Sequence, residues 1–83
     1  MTPFRLLWVE VARSQYEALS PTQRHDLQEL LGRLAVDPGM VAADYDRASD
    51  QWLLDFAGGA GLVSYAVVPA NRCIIVLRLV TFG

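Results

Sequence analysis

The stretch Leu19-Ser20-Pro21-Thr22-Gln23 decides the fold, because it divides one long helical region into two helices. Serine is a favoured N-cap residue, proline suits the first helical position, and a glutamine three residues after the serine completes a capping box. One helix therefore ends near Leu19 and a second begins at Pro21. Two helices joined by a single capping turn form an antiparallel hairpin.

Apolar residues repeat at helical spacing on both sides of this break. They are Val9, Ala12, Tyr16 and Leu19 before it, and Leu27, Leu30, Leu31 and Leu34 after it. The second helix ends near Asp37-Pro38-Gly39, because proline cannot continue a helix and glycine permits the turn. Both predicted helices therefore have one apolar side to bury.

Four strands are predicted around the hairpin from their apolar, branched and aromatic residues. They cover residues 4–9, 52–56, 62–68 and 73–82, and the polar residues 40–50 are predicted to form a surface connection. Gly58, Gly59 and Gly61 indicate a turn, and Asn71 suits left-handed geometry in a second turn. A phosphate-binding loop is excluded, since no helix start follows these glycines.

The predicted order of elements is β-α-α-β-β-β over one domain, residues 1–83. This is an α+β fold, with the helical hairpin packed on one face of a small, mainly antiparallel sheet. The last strand is apolar on both alternations except at Arg78 and Thr81. We therefore expect it to lie centrally in the sheet or to be covered on both faces.

The charge balance argues against a nucleic-acid binder. Seven basic residues, all arginine, face nine acids, which gives a net charge of −2. Proteins that bind nucleic acid usually carry a basic surplus, because neutralising phosphates supplies most of their non-specific affinity. A local basic patch stays open as an alternative.

Other classes of site find little support in the sequence. The single cysteine, Cys73, lies in an apolar strand and is interpreted as a small packed hydrophobe, and His25 as a solvated side chain. Asp44, Asp46 and Asp50 lack the glycine and distal glutamate of a calcium loop. We expect no metal and no cofactor, no membrane span and a cytoplasmic location.

Several segments, in this order and spacing, resemble the RelE/ParE superfamily of bacterial toxin–antitoxin ribonucleases and gyrase inhibitors. They are Trp8-Val9-Glu10, Leu19-Ser20-Pro21, Leu34 with Asp37-Pro38, Trp52-Leu53-Leu54-Asp55-Phe56, Val63-Ser64-Tyr65-Ala66-Val67 and Ile75-Val76-Leu77-Arg78-Leu79-Val80. The resemblance covers nearly the whole chain. It implies a curved sheet with the hairpin on one face.

The resemblance also implies an active site, and here the chain departs from the family. Arginines that the family commonly carries are replaced by Leu53, Asp55 and Leu62. Only Arg78 and Tyr65 are carried over as candidate catalytic residues. Arg78 has two interpretations: an anion contact, or a structural arginine that pairs with a carboxylate such as Asp55 or reaches solvent at an edge. Tyr65 is either part of the site or a core aromatic.

The strands offer few charges for a second sheet face, so we expect an apolar patch there that contacts another chain. Trp8, Trp52, Phe56 and Phe82 stand out as candidates. The partner is an antitoxin-like protein or a second copy in a dimer; RNA is disfavoured by charge. Two functions stay open: a toxin component that acts on translation or on a protein such as gyrase, and a catalytically silent relative that serves as a homodimeric or heteromeric interaction domain.

Overall fold

The computed structural model describes residues 2–82. In chain order the elements are β1 (Arg5–Trp8), α1 (Glu10–Glu17), α2 (Pro21–Val36), β2 (Asp44–Asp46), β3 (Gln51–Phe56), β4 (Gly61–Val68) and β5 (Cys73–Thr81). Short 3₁₀ turns cover Pro38–Met40, Ala57–Gly59 and Pro69–Asn71. No helix within residues 2–82 has the length and apolarity needed to cross a membrane.

The strands form one five-stranded sheet in the order β1-β5-β4-β3-β2. β1 and β5 are parallel, and the other three neighbouring pairs are antiparallel. Both helices pack on one face, so the predicted α+β class is confirmed. β5 lies between β1 and β4, inside the sheet, as its two-sided apolarity predicts.

The prediction of four strands was wrong, because β2 lies in the segment expected to be a surface connection. Its residues Asp44–Asp46 are all exposed, so it carries no apolar alternation that a sequence pattern could reveal. Tertiary contact holds it instead. The ring of Tyr45 packs on that of Trp52 with centroids 4.9 Å apart, and the Tyr45 hydroxyl donates to Asp50.

The helix break forms as the sequence predicts. The backbone N–H of Gln23 donates to the Ser20 hydroxyl at 3.2 Å, and the backbone N–H of Ser20 donates to the Gln23 side chain at 3.0 Å. These reciprocal bonds satisfy backbone groups that the start of a helix leaves free. The hairpin is therefore fixed by local chemistry before any packing is considered.

The core lies between the hairpin and one sheet face. The helices and the turn between them contribute Ala12, Leu19, Leu27, Leu31 and Leu34, and the strands contribute Leu54, Phe56, Val63, Tyr65, Ile74, Val76 and Leu79. Cys73 is buried as predicted, but it lies outside this cluster. Its sulfur accepts a hydrogen bond from the Arg5 guanidinium at 3.4 Å, so it packs on the opposite face of the sheet.

The left-handed residue of the turn before β5 is Arg72, with φ of 49°, and not Asn71 as predicted. Two contacts of the Arg72 side chain explain the difference. Its Nε donates to the carbonyl of Thr2 at 2.9 Å, and its guanidinium lies 4.6 Å from the centre of the Phe4 ring. The predicted glycine turn is confirmed, with positive φ at Gly58 and Gly59.

Candidate functional site

An irregularity in the pairing of β4 with β5 decides where Arg78 points. Ser64 lies opposite Arg78, whereas the next residue, Tyr65, lies opposite Val76. Leu77 is therefore an extra residue, a β-bulge, and the side-chain alternation along β5 shifts by one. Without it Arg78 would follow Ile74 and Val76 towards the helices. With it Arg78 lies on the helix-free face, which we call the open face.

The open face is mostly apolar. By strand alternation and register its apolar side chains are Leu7, Leu53, Leu62, Ala66, Val68, Ile75 and Val80. Leu7 is 45% exposed and Val80 is 37% exposed, which is high for branched aliphatic residues. The charged side chains that share this face are Arg5, Arg78, Asp55 and, on β2, Asp44 and Asp46. The expected apolar patch is therefore present on the sheet of the single chain.

The two arginines of the open face are not clustered. Arg5 lies beside Cys73, and Arg78 follows Cys73 by five residues in β5, a separation on the order of 15 Å along the strand. Asp55 lies opposite Leu62, one row of side chains beyond Arg78. The face therefore presents two separated positive charges and three negative charges.

The interpretation that Arg78 pairs with Asp55 was wrong. Within residues 2–82 the pair at ion-pair distance is His25 with Glu29, at 3.5 Å. Arg78 is instead exposed at an edge, the other structural alternative, because β1 pairs with β5 only as far as Val76. His25 is 69% exposed, so it is the solvated side chain that the sequence predicts.

The structure does not bring Tyr65 and Arg78 together. The Tyr65 side chain is 1% exposed and belongs to the core on the helix-covered face. Burial raises the pKa of its hydroxyl above the ordinary value of 10.0, because the phenolate would lose its hydration. This placement agrees with the core alternative, and Arg78 remains alone as the candidate that reaches solvent.

Three of the four aromatic residues named as candidates for the patch are on the other face. Phe56 is buried in the core, and Trp8 and Trp52 pack against it. The side chain of Phe82, just after β5, is 58% exposed. The prediction was wrong for these three residues because the size of a side chain does not determine its face. The alternation of side chains along each strand does.

A groove along α2 was not found from the sequence. One cavity of about 960 Å³ lies between α2 and the segment that follows it, and a second of about 350 Å³ lies between α2 and the end of β3. Glu29, Leu30 and Arg33 line both cavities, so the two adjoin along α2. We call them together the α2 groove. Its one signal in the sequence is Val36, an apolar residue off the leucine stripe.

In the part of the chain that the structure describes, no three histidine, cysteine or acidic side chains are grouped to hold a metal ion. The candidate surfaces are therefore the open face and the α2 groove.

Solved structures share this architecture over the whole chain. The toxin–antitoxin complex RelBE of E. coli contains a chain that superposes with a TM-score of 0.83 at 18% identity, over 96% of this chain and 98% of that one. The chain has the RelE fold. RelBE2 of Mycobacterium tuberculosis matches with a TM-score of 0.81 at 19% identity, over 99% and 94% of the two chains.

The RelE fold is matched in an archaeal protein as well. The RelE–RelB complex of Pyrococcus horikoshii OT3 gives a TM-score of 0.73 at 20% identity, over 100% of this chain and 98% of that chain. No protein-family model matches the sequence, and no curated protein matches it. The likeness is thus one of fold and is carried by the backbone.

Proposed function

We propose that this chain is the toxin component of a toxin–antitoxin pair, and that it acts in the cytoplasm by binding a protein. The RelE fold over the full chain supports the first part, since three similar structures are complexes of a RelE-type toxin with its antitoxin. The chemistry of the open face supports the second part. An antitoxin-like partner would neutralise the chain by covering the apolar part of this face.

RNA cleavage is the weaker alternative for electrostatic reasons. Cleavage of a phosphodiester needs a base, an acid and cations that stabilise charge on the phosphate. Loss of one preorganised donor typically costs about 10²–10³ in rate. The open face carries Arg5 and Arg78 roughly 15 Å apart and adds the carboxylates of Asp44, Asp46 and Asp55. Such a face neutralises a run of phosphates poorly.

The observation that carries the proposal is the apolar character of the open face. A contiguous exposed apolar surface with few charges is typical of a protein interface. Leu7 and Val80 are exposed on this face, at 45% and 37%. Arg78 would then contribute one directed contact within an apolar surface, since arginine is enriched at the centres of such interfaces.

The second candidate, a catalytically silent interaction domain, rests on the same face. A second copy of the chain could cover the apolar residues, because an isologous interface needs only one self-complementary patch. The two candidates differ in their consequences for the cell. A toxin arrests growth when produced alone, whereas a silent homodimer does not.

The test is induced expression of the chain with and without the neighbouring gene. We expect growth arrest that the neighbour relieves, with messenger RNA intact. Val80→Asn should abolish arrest, because it places an amide in the apolar contact. Val11→Asn is the matched control, since Val11 is 60% exposed but lies on α1.

Three results would count against the proposal. RNA cleavage by the chain that is lost in Arg78→Gln would support a ribonuclease in place of a protein-binding toxin. Absence of arrest together with a stable dimer in size-exclusion chromatography would establish the silent domain. Equal loss of arrest in Val80→Asn and Val11→Asn would show that the open face has no special part.

A further inference from the structure

The α2 groove combines an apolar half, a polar half and an unpaired strand edge. We propose that it binds one extended segment of a partner protein, apolar at one end and basic at the other. This inference rests on the proposed function for the identity of the partner, which would be the antitoxin-like protein. The groove itself is argued from its own residues.

The apolar half lies at the end of α2. Val36 is 63% exposed, the most exposed of the large apolar side chains in the described chain. Leu30 and Val41, both partly buried, line the same cavity, as does Ala42. An apolar side chain of a partner would remove these groups from water, which favours a complex.

The unpaired edge belongs to β3. β2 pairs with β3 only from Gln51 to Leu53, so Leu54, Asp55 and Phe56 have β4 on one side and no strand on the other within residues 2–82. An edge of this kind can accept an added strand through backbone hydrogen bonds. Asp55 and Phe56 also line the polar half of the groove, so an extended segment there would lie beside this edge.

The polar half carries an excess of negative charge. Asp26 and Glu29 line it together with a single cation, Arg33, whereas Asp55 lines it at the strand edge and its carboxylate lies on the open face. Within the groove no ion pair joins Arg33 to any of these acids in the described residues; Glu29 pairs with His25 on the outer surface. A basic residue at one end of the partner segment would complement this charge, and an acidic one would be repelled.

Gly32 supports the presence of an occupant. It is exposed in the middle of α2, where glycine costs about 0.5–1 kcal/mol relative to alanine. A Cβ there would meet no atom within 4 Å, so internal packing does not require glycine. Gly32 lines the apolar cavity, where the missing side chain lets a partner backbone approach α2 closely.

The test is a titration of the isotope-labelled chain followed by amide chemical shifts. The probe is a short capped peptide of alternating valine and threonine with two arginines at one end. We expect saturable shifts at Leu54–Phe56 and along α2 from Glu29 to Val36. The same peptide with two glutamates in place of the arginines should leave these amides unchanged at the same concentrations.

Three substitutions assign the contacts, and two of them have matched controls. Glu29→Gln should weaken peptide binding about two- to fivefold, while Glu17→Gln on α1 leaves it unchanged. Val36→Ser should weaken it, while Val11→Ser, at a residue 60% exposed on α1, does not. Gly32→Ala should raise the temperature of unfolding of the free chain and yet weaken peptide binding. A purely structural glycine would not give these opposite effects.

The groove proposal would be overturned if neither peptide binds at millimolar concentration, or if the two peptides bind equally. Dimerisation of the free chain through these same amides would make a second copy the occupant and would also overturn it. Growth arrest without peptide binding would leave the proposed function standing and remove the groove. Peptide binding without growth arrest would leave the groove standing and remove the proposed function.

Discussion

The side-chain oxygen of Gln15 accepts a hydrogen bond from the backbone N–H of Leu79 at 2.7 Å. This contact lies where β5 has β4 on one side and no strand on the other within residues 2–82, since its pairing with β1 ends at Val76. A glutamine on α1 thus takes the place of a missing strand and leaves the nearby Arg78 side chain free to reach solvent.

We expect Gln15→Ala to lower the free energy of unfolding by about 1–2 kcal/mol, because it leaves a partly buried N–H without a partner. Ser14→Ala, at an exposed neighbour in the same helix, is the control for a change in helix propensity. Urea denaturation followed by circular dichroism measures both. Equal stability of the two variants would show that water satisfies the Leu79 N–H.

We expect Ser20→Ala to destabilise the fold by about 1 kcal/mol through loss of the N-cap of α2. Thr22→Ala, exposed in the first turn of α2, should have little effect. Because Ser20 and Gln23 bond reciprocally, their alanine variants should not be additive in a double-mutant cycle. Additive costs would argue against a capping box in solution.

We expect Gly61→Ala to destabilise the chain by about 1–3 kcal/mol, because its methyl group would overlap the ring of Phe56 on the neighbouring strand. Phe56→Leu replaces the ring by a smaller side chain, so Gly61→Ala should cost less stability in the double variant than in the wild-type background. Thermal unfolding of the four proteins of the cycle measures this coupling. A cost of Gly61→Ala that persists unchanged beside Leu at position 56 would rule out the clash.

We expect stability to fall as pH rises above about 10. Burial raises the pKa of Tyr65 above 10.0, so the folded chain holds this proton at a pH where the unfolded chain releases it. Stability from this proton is therefore complete below pH 10 and is lost as pH climbs through the folded pKa. The chain has no lysine, so tyrosines dominate titration in this range.

The measurement is denaturant unfolding of the wild-type chain and Tyr65→Phe between neutral and strongly alkaline pH. The phenylalanine variant should lose less stability in the alkaline range. Tyr45→Phe is the comparison, because a hydrogen bond to Asp50 at an exposed site raises the pKa of Tyr45. Identical pH profiles for wild type and Tyr65→Phe would contradict the assigned burial.

The sequence predicted what local chemistry determines. The capping box at Ser20 and Gln23 defined the hairpin, and branched and aromatic residues located β1, β3, β4 and β5. β2 could not be predicted, because its exposed residues have no apolar alternation and its contact of Tyr45 with Trp52 joins separate segments. Strand propensity describes each segment alone, so it does not predict a strand that forms only through contact with a neighbouring strand.

The candidate site was harder to predict, because it depends on register. The bulge between the partners of Ser64 and Tyr65 moves Arg78 to the open face, and one residue more or less would reverse this. The α2 groove depends on how far β2 extends along β3, which no single segment encodes. Sequence patterns named Arg78 and Tyr65 as candidates, whereas the sheet faces on which they lie follow only from the fold.

The parallel pairing of β1 with β5 has a consequence for biosynthesis. Arg5 of β1 contacts Cys73, which the ribosome adds 68 positions later. The hairpin can form while the chain emerges, but β1 has no partner until β5 has left the exit tunnel. An open face made of all the strands is therefore complete only once β5 has emerged, and shorter nascent chains lack it.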